Sequence, residues 1–173
     1  RVLENSINHL WNLPETYGHY PIRKALAYLV WLLPLPESEI DPVVEKLRLP
    51  AAILNGLKTG KRLLAELDSL PMASVSQAVE RLESTSRPVL FTIYHSGIPE
   101  DAKRMIDLYL SKWQYIDIIT DGTILKSMGI PQGPIYSRIL TTLRAARLDG
   151  KINTDEEEQA LLQQMVRAIA PMD

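Results

Sequence analysis

Apolar residues recur at three- and four-residue spacing along nearly the whole chain, and proline, glycine and small hydroxyl residues interrupt them. That is the pattern of short helices joined by tight loops. Val2, Leu3, Ile7, Leu10 and Trp11 form one stripe, closed by Pro14. Pro21 opens a second helix, with Ile22, Ala25, Leu26, Leu29 and Val30 inward, which ends before Pro34. Ser38-Glu39-Ile40-Asp41 reads as a capping box at the start of a short helix. Pro50 opens the next, through Ile53, Leu54, Leu57, Leu64 and Leu67; Gly56 and Gly60, each costing about 1 kcal/mol relative to Ala, predict a kink or break.

Ser74-Val75-Ser76-Gln77 caps a helix carrying Ala78, Val79 and Leu82, and the polar run from Glu83 to Arg87 ends it before Pro88 starts another. After Gly97 and Pro99 the spacing of Ala102, Met105, Ile106, Tyr109, Leu110 and Trp113 predicts a strongly amphipathic helix. Tyr115 to Ile119 has the composition of a strand but no second candidate to pair with, so it reads as a connector. Ile124, Leu125 and Met128 predict a helix stopped by Gly129, and Pro134 opens the next, which carries Ile135, Ile139, Leu140 and Leu143. Gly150 fits a left-handed residue after that helix. Thr154-Asp155-Glu156-Glu157 caps the last one, where the acidic run, with Glu158, favours the helix dipole.

About ten helices of roughly 8–18 residues predict an all-α fold, an antiparallel, bundle-like stack. No fixed period marks a solenoid. A soft boundary near Ser84 to Pro88 divides the chain into residues 1–86 and 87–173.

Composition narrows the picture. With 46% hydrophobic and 23% charged residues in 173, the chain can bury a core. It begins at Arg1 with no signal-peptide pattern and reads as part of a longer polypeptide. The apolar stretch Ala25 to Leu33 is far below the roughly 20 residues that cross a bilayer, so no membrane partner is expected. There is no cysteine, which excludes disulfides, thiol nucleophiles and cysteine zinc sites and fits a cytoplasmic setting. His9, His19 and His95 lack ligand spacing. The net charge of −2 excludes a chain coated by nucleic acid, so any RNA contact must be local.

One run is more specific. Asp121-Gly122-Thr123-Ile124-Leu125-Lys126-Ser127-Met128-Gly129-Ile130-Pro131-Gln132-Gly133-Pro134 is followed by Ile139-Leu140 and by Arg147-Leu148-Asp149-Gly150-Lys151-Ile152. This order resembles the C-terminal region of bacterial tRNA nucleotidyltransferases (CCA-adding enzymes) and their poly(A) polymerase relatives. The match is strongest over residues 120–165; Val44-Glu45-Lys46-Leu47-Arg48-Leu49 and Ile22 to Leu33 resemble the family's helical body more loosely. Ile124 stands where the family often has Asp, and Ser137 where it often has Gly.

The resemblance implies an all-helical region, 1–86 as neck and body and 87–173 as tail with the Gly-Pro hairpin, which holds tRNA or other structured RNA. A head domain would add CCA, A or poly(A) with Mg and ATP/CTP. The head's Gly-Ser motif, Asp-x-Asp pair and Arg-Arg-Asp element have no match here. Two-metal transfer needs convergent carboxylates, so no catalytic residue and no cofactor is expected within this chain; the absent head would be its partner.

The Gly-Ile-Pro-x-Gly-Pro turn exposes first-turn amides where the helix dipole favours phosphate. Gly133 and Pro134 form the turn, Ile135 and Tyr136 supply the donors, and Lys126, Arg138 and Arg144 add charge. The alternative is a tight interhelical hairpin with no ligand. Tyr136 is the candidate for stacking on a base or ribose. Lys58, Lys61 and Arg62, with Arg48 nearby, make a second basic cluster, more often a solvated face. There Thr59-Gly60 would let a sugar-phosphate backbone approach. Trp11, Trp31, Trp113 and Tyr109 fall on apolar stripes. The competing function is a protein-interaction or dimerisation module, with a second copy of the chain as partner.

Overall fold

The computed structural model describes residues 11–169, so the first predicted stripe lies outside the described residues except for Trp11. The fold is all-α and bundle-like. Nine α-helices run among the described residues: α1 (Ile22–Leu32), α2 (Glu37–Lys46), α3 (Ala51–Glu66), α4 (Val75–Glu83), α5 (Arg87–Tyr94), α6 (Glu100–Ser111), α7 (Gly122–Ser127), α8 (Pro134–Leu148) and α9 (Asp155–Ile169). Two 3-10 turns, Leu67–Met72 and Trp113–Tyr115, join them.

The chain divides into two compact units, one of residues up to Ala73 with Ala78–Ser111, the other of Ser74–Gln77 with everything from Lys112 on. In the first unit α1 packs on α3 and α5, α2 on α3, and α3 on α5. Its core includes Leu29, Leu32, Ile53, Leu57, Leu90 and Ile93, all fully buried. Trp11 sits edge-on to Phe91 and Tyr94 at 5.4 and 5.2 Å between ring centres.

Several expectations change here. Strand pairing exists after all, as a hairpin of β1 (Thr16–Tyr17) and β2 (Tyr20–Pro21). Its two-residue loop, Gly18 and His19, has φ of +58° and +71°, the left-handed pair that matches strand twist. Helix α2 begins at Glu37, one residue before Ser38, and Pro36 stands at its cap with no side-chain bond. Val30, read as inward, is 61% exposed, and Trp31 beside it is 59% exposed, whereas Trp113 of the second unit is buried.

Gly56 and Gly60 do not break α3, which runs unbroken for 16 residues. Both glycines are buried at a close crossing. A Cβ on Gly56 would stand 2.7 Å from Tyr17 Oη and 2.9 Å from Val89 Cγ2; one on Gly60 would stand 2.8 Å from Val89 Cγ1 and 2.9 Å from Leu33 Cδ1. The missing side chains let neighbouring elements reach the helix backbone, so packing outweighs the propensity loss.

The capping boxes at α4 and α9 form as the sequence predicts. The Ser74 amide donates to Gln77 Oε1 at 3.3 Å and the Gln77 amide to Ser74 Oγ at 3.4 Å. At α9 the Thr154 amide donates to Glu157 Oε2 at 3.3 Å and the Glu157 amide to Thr154 Oγ1 at 3.2 Å. Gly150 adopts φ +69° after α8, as predicted.

Candidate nucleic-acid interface

The Gly-Pro hairpin belongs to the second unit, whose core is Leu125, Ile130, Ile139, Leu143 and Leu162. Asp121 starts it: its Oδ1 accepts the amides of Thr123 and Ile124 at 2.8 and 2.9 Å. A helix-start carboxylate is thus present three residues before Ile124. Helix α7 lasts six residues and stops where Gly129 takes φ +77°. The Ile130 amide then reaches back to the Leu125 carbonyl at 3.3 Å, and the buried Ile130 side chain plugs the turn.

The sequence-predicted residues fall as follows. Pro131, Gln132, Gly133 and Pro134 are all exposed, and a Cβ on Gly133 would meet nothing within 4 Å. The turn therefore faces open solvent. Ile135 and Tyr136 are half-buried against the core. The Tyr136 amide, expected to be free, donates to the Gly133 carbonyl at 3.0 Å, which leaves Ile135 as the remaining first-turn donor of the pair. Tyr136 Oη donates to the Ile130 carbonyl at 3.0 Å and its ring lies over Gly122, where a Cβ would be 3.7 Å away. This tyrosine fastens the two helices of the hairpin.

Lys126 and Arg138 are exposed, and neither side chain makes an ion pair among the described residues. Arg144 is half-buried, with Nε donating to the Ile116 carbonyl at 3.4 Å. It lines an open groove of about 420 Å³ with Asp117, Thr120, Asp121, Gly122 and Thr141. Two carboxylates share that groove, so the hairpin's outward cationic character comes from Lys126 and Arg138.

The second basic cluster lies in the first unit. Lys58 pairs with Asp41 at 2.9 Å, Lys61 is half-buried, and Arg62 borders a shallow hollow with Glu66, Glu80 and Arg81. Thr59 Oγ1 donates to the Gly56 carbonyl at 3.1 Å and Gly60 faces Val89 and Leu33. The Thr59-Gly60 approach expected for a phosphate strand is occupied by the protein's own packing.

Glu158 departs from the expectation of the acidic run. Glu158, taken with Glu156 and Glu157 as helix-start charge, is fully buried. Its Oε1 accepts the Thr120 amide and hydroxyl at 2.9 and 2.7 Å; its Oε2 accepts the Ile119 amide at 3.3 Å and Arg147 Nε at 2.9 Å. Arg147 also pairs with Asp155. That Asp155 hydrogen bond leads in raising the guanidinium pKa above its ordinary value, against burial and with help from Glu158. The signal was in the spacing: Glu158, Leu161, Leu162 and Met165 lie on one helical stripe, which puts the carboxylate on the apolar side.

The Leu-Asp-Gly turn holds a second, half-buried contact. Asp149 accepts the Ser76 amide at 2.8 Å and the Ser76 hydroxyl at 3.1 Å. Burial pushes its carboxyl up, but the Ser76 bonds and Lys151 outweigh it and hold the pKa below the ordinary value. A depressed carboxyl contributes stability above the unfolded pKa of about 4 and loses it as pH falls through the folded value. Acid unfolding of Asp149→Asn should therefore show a shallower loss of stability below about pH 4 than the wild type; identical acid limbs would refute the contact's role.

Among the described residues no group of three His, Asp or Glu side chains could hold a metal ion, and no helix is long and apolar enough to cross a membrane. Over 80 residues the chain is 32% identical to the A-adding tRNA nucleotidyltransferase of Geobacter sulfurreducens, a match covering 46% of this chain and 9% of that protein. The chain therefore aligns with a small part of that relative's length. No family model and no solved structure matches. The partial similarity supports an origin related to RNA nucleotidyltransferases.

Proposed function

We propose that this chain is a non-catalytic, RNA-binding body and tail region of an RNA 3′-end nucleotidyltransferase, and that it holds tRNA or similarly structured RNA. One observation carries the reading: the Gly-Pro helix start is open to solvent, and on the same hairpin stand two exposed cations, Lys126 and Arg138, that make no ion pair among the described residues. The Ile135 amide and the helix dipole favour a phosphate there. Recognition would be of RNA backbone and shape, because a double-helical RNA hides its deep groove. The partial similarity to an A-adding tRNA nucleotidyltransferase supports the substrate class. On this reading the Mg-dependent transfer from ATP or CTP belongs to a head domain, and the setting is cytoplasmic.

Titrating the chain with tRNA at several salt concentrations tests this. Salt-sensitive binding is expected, and Lys126→Glu with Arg138→Glu should reduce the slope of log K against log salt by about 2. Binding indifferent to the double reversal would refute the assignment.

A protein-interaction role has its own observation. Exposed Val30 and Trp31 adjoin each other in sequence, and Val30 borders an apolar hollow of about 280 Å³ with Leu33, Pro34 and Leu64. A tight dimer by light scattering, unchanged by tRNA, would favour that role instead.

A further inference from the structure

We propose that Glu158 is a positioning residue for the RNA-holding hairpin: its buried carboxylate sets the connector that aims α7 and the Gly-Pro turn. This rests on the RNA-binding reading and adds to it a residue that touches no RNA.

The Ile119–Thr120 segment is neither helix nor strand, so its inward amides have no ladder to join. A carboxylate offers about four acceptor directions on two oxygens, and all four donors here converge on one side chain. Directly after Thr120, Asp121 caps α7 with two bonds to its first turn, and Gly122 lies under the Tyr136 ring. A path of fixed contacts thus runs from α9 through the connector to the start of α7 and on to Tyr136. Lys126 projects from α7 and the turn begins two residues beyond its end, so their placement follows from the connector's.

Stability does not demand this arrangement. Apolar replacement of a buried ion pair is often neutral or stabilising, so a buried carboxylate with an arginine partner is better explained by the single geometry it imposes. A leucine at 158 would fill the space and leave the Ile119 and Thr120 donors to find other acceptors.

The test uses Glu158→Gln in the 173-residue chain, with the milder Thr120→Val beside it in case the first variant fails to fold. Whichever way the Gln amide turns, its NH2 group meets at least one backbone N–H where the carboxylate met it as an acceptor. Below the melting temperature of each variant, two readouts are taken: hydrogen exchange at the 119, 120, 123 and 124 amides, and tRNA affinity across salt. We expect faster exchange at those amides, tRNA binding weakened tenfold or more by Glu158→Gln and severalfold by Thr120→Val, and an unchanged salt slope, because the phosphate-facing cations are intact. A purely structural role would lower the melting temperature and leave tRNA affinity alone. Loosened amides with wild-type tRNA affinity would overturn this inference and spare the RNA reading. Wild-type protein that does not bind tRNA, or binds it regardless of Lys126 and Arg138, would overturn both.

Discussion

Arg147→Ala should destabilise the second unit by about 3–5 kcal/mol, the cost of leaving a buried carboxylate without its cation. Glu158 has no solvent exposure, and Arg147 is the cationic donor on its Oε2. The other three donors are neutral amides and a hydroxyl, which solvate the charge without cancelling it. Hydrogen-exchange protection in α8 and α9 measures the loss. Adding Glu158→Gln to Arg147→Ala, which removes the uncompensated charge while the amide oxygen still serves part of the Ile119–Thr120 donors, should recover part of it. A single-variant cost under about 1 kcal/mol would mean that water reaches the carboxylate in solution.

Gly56→Ala is expected to cost the first unit about 2–3 kcal/mol, the upper part of the range for overpacking, and more than Gly60→Ala. The direction is informative because alanine would otherwise gain about 1 kcal/mol in a helix interior. At Gly56 the new methyl meets Tyr17 Oη, which already donates to the Ala52 carbonyl at 2.9 Å and shares a 3.1 Å bond with Ser86 Oγ. Moving the phenol strains both bonds. At Gly60 one of the two close atoms is the end of a leucine side chain, Leu33 Cδ1, which can rotate away. Denaturant midpoints for the two variants check the order; a stabilised Gly56→Ala would refute the close crossing.

Helix positions were legible because they depend on local punctuation. Pro21, Pro50, Pro88 and Pro134 each sit at or within one residue of a helix start, and Gly129 and Gly150 each follow a helix end with positive φ. What escaped the sequence depends on partners distant along the chain. Gly56 and Gly60 look like helix breakers until Tyr17 and Val89 arrive from elsewhere. Val30 satisfies the apolar spacing of α1, yet it is left exposed among the described residues.

The candidate site was legible in the same uneven way. The openness of the Gly-Pro turn and the exposure of Lys126 and Arg138 follow from their place on a short hairpin. Tyr136 has the composition of a stacking residue, but its hydroxyl lies 3.0 Å from a carbonyl six residues back, a contact set by the turn's closure. Glu158 was hidden because an acidic run at a helix start already has a sufficient electrostatic explanation; only its phase against Leu161, Leu162 and Met165 marks it as interior.

The distribution of the three indoles makes the molecule its own optical probe. Trp11 and Trp31 report on the first unit from opposite settings, one enclosed by aromatic rings and one in water, while Trp113 belongs to the second. With phenylalanine at positions 11 and 31, tryptophan fluorescence, excited where tyrosine does not absorb, would follow the loosening of the second unit alone. The costs argued for Arg147 and Glu158 could then be read free of whatever α3 and its glycines contribute.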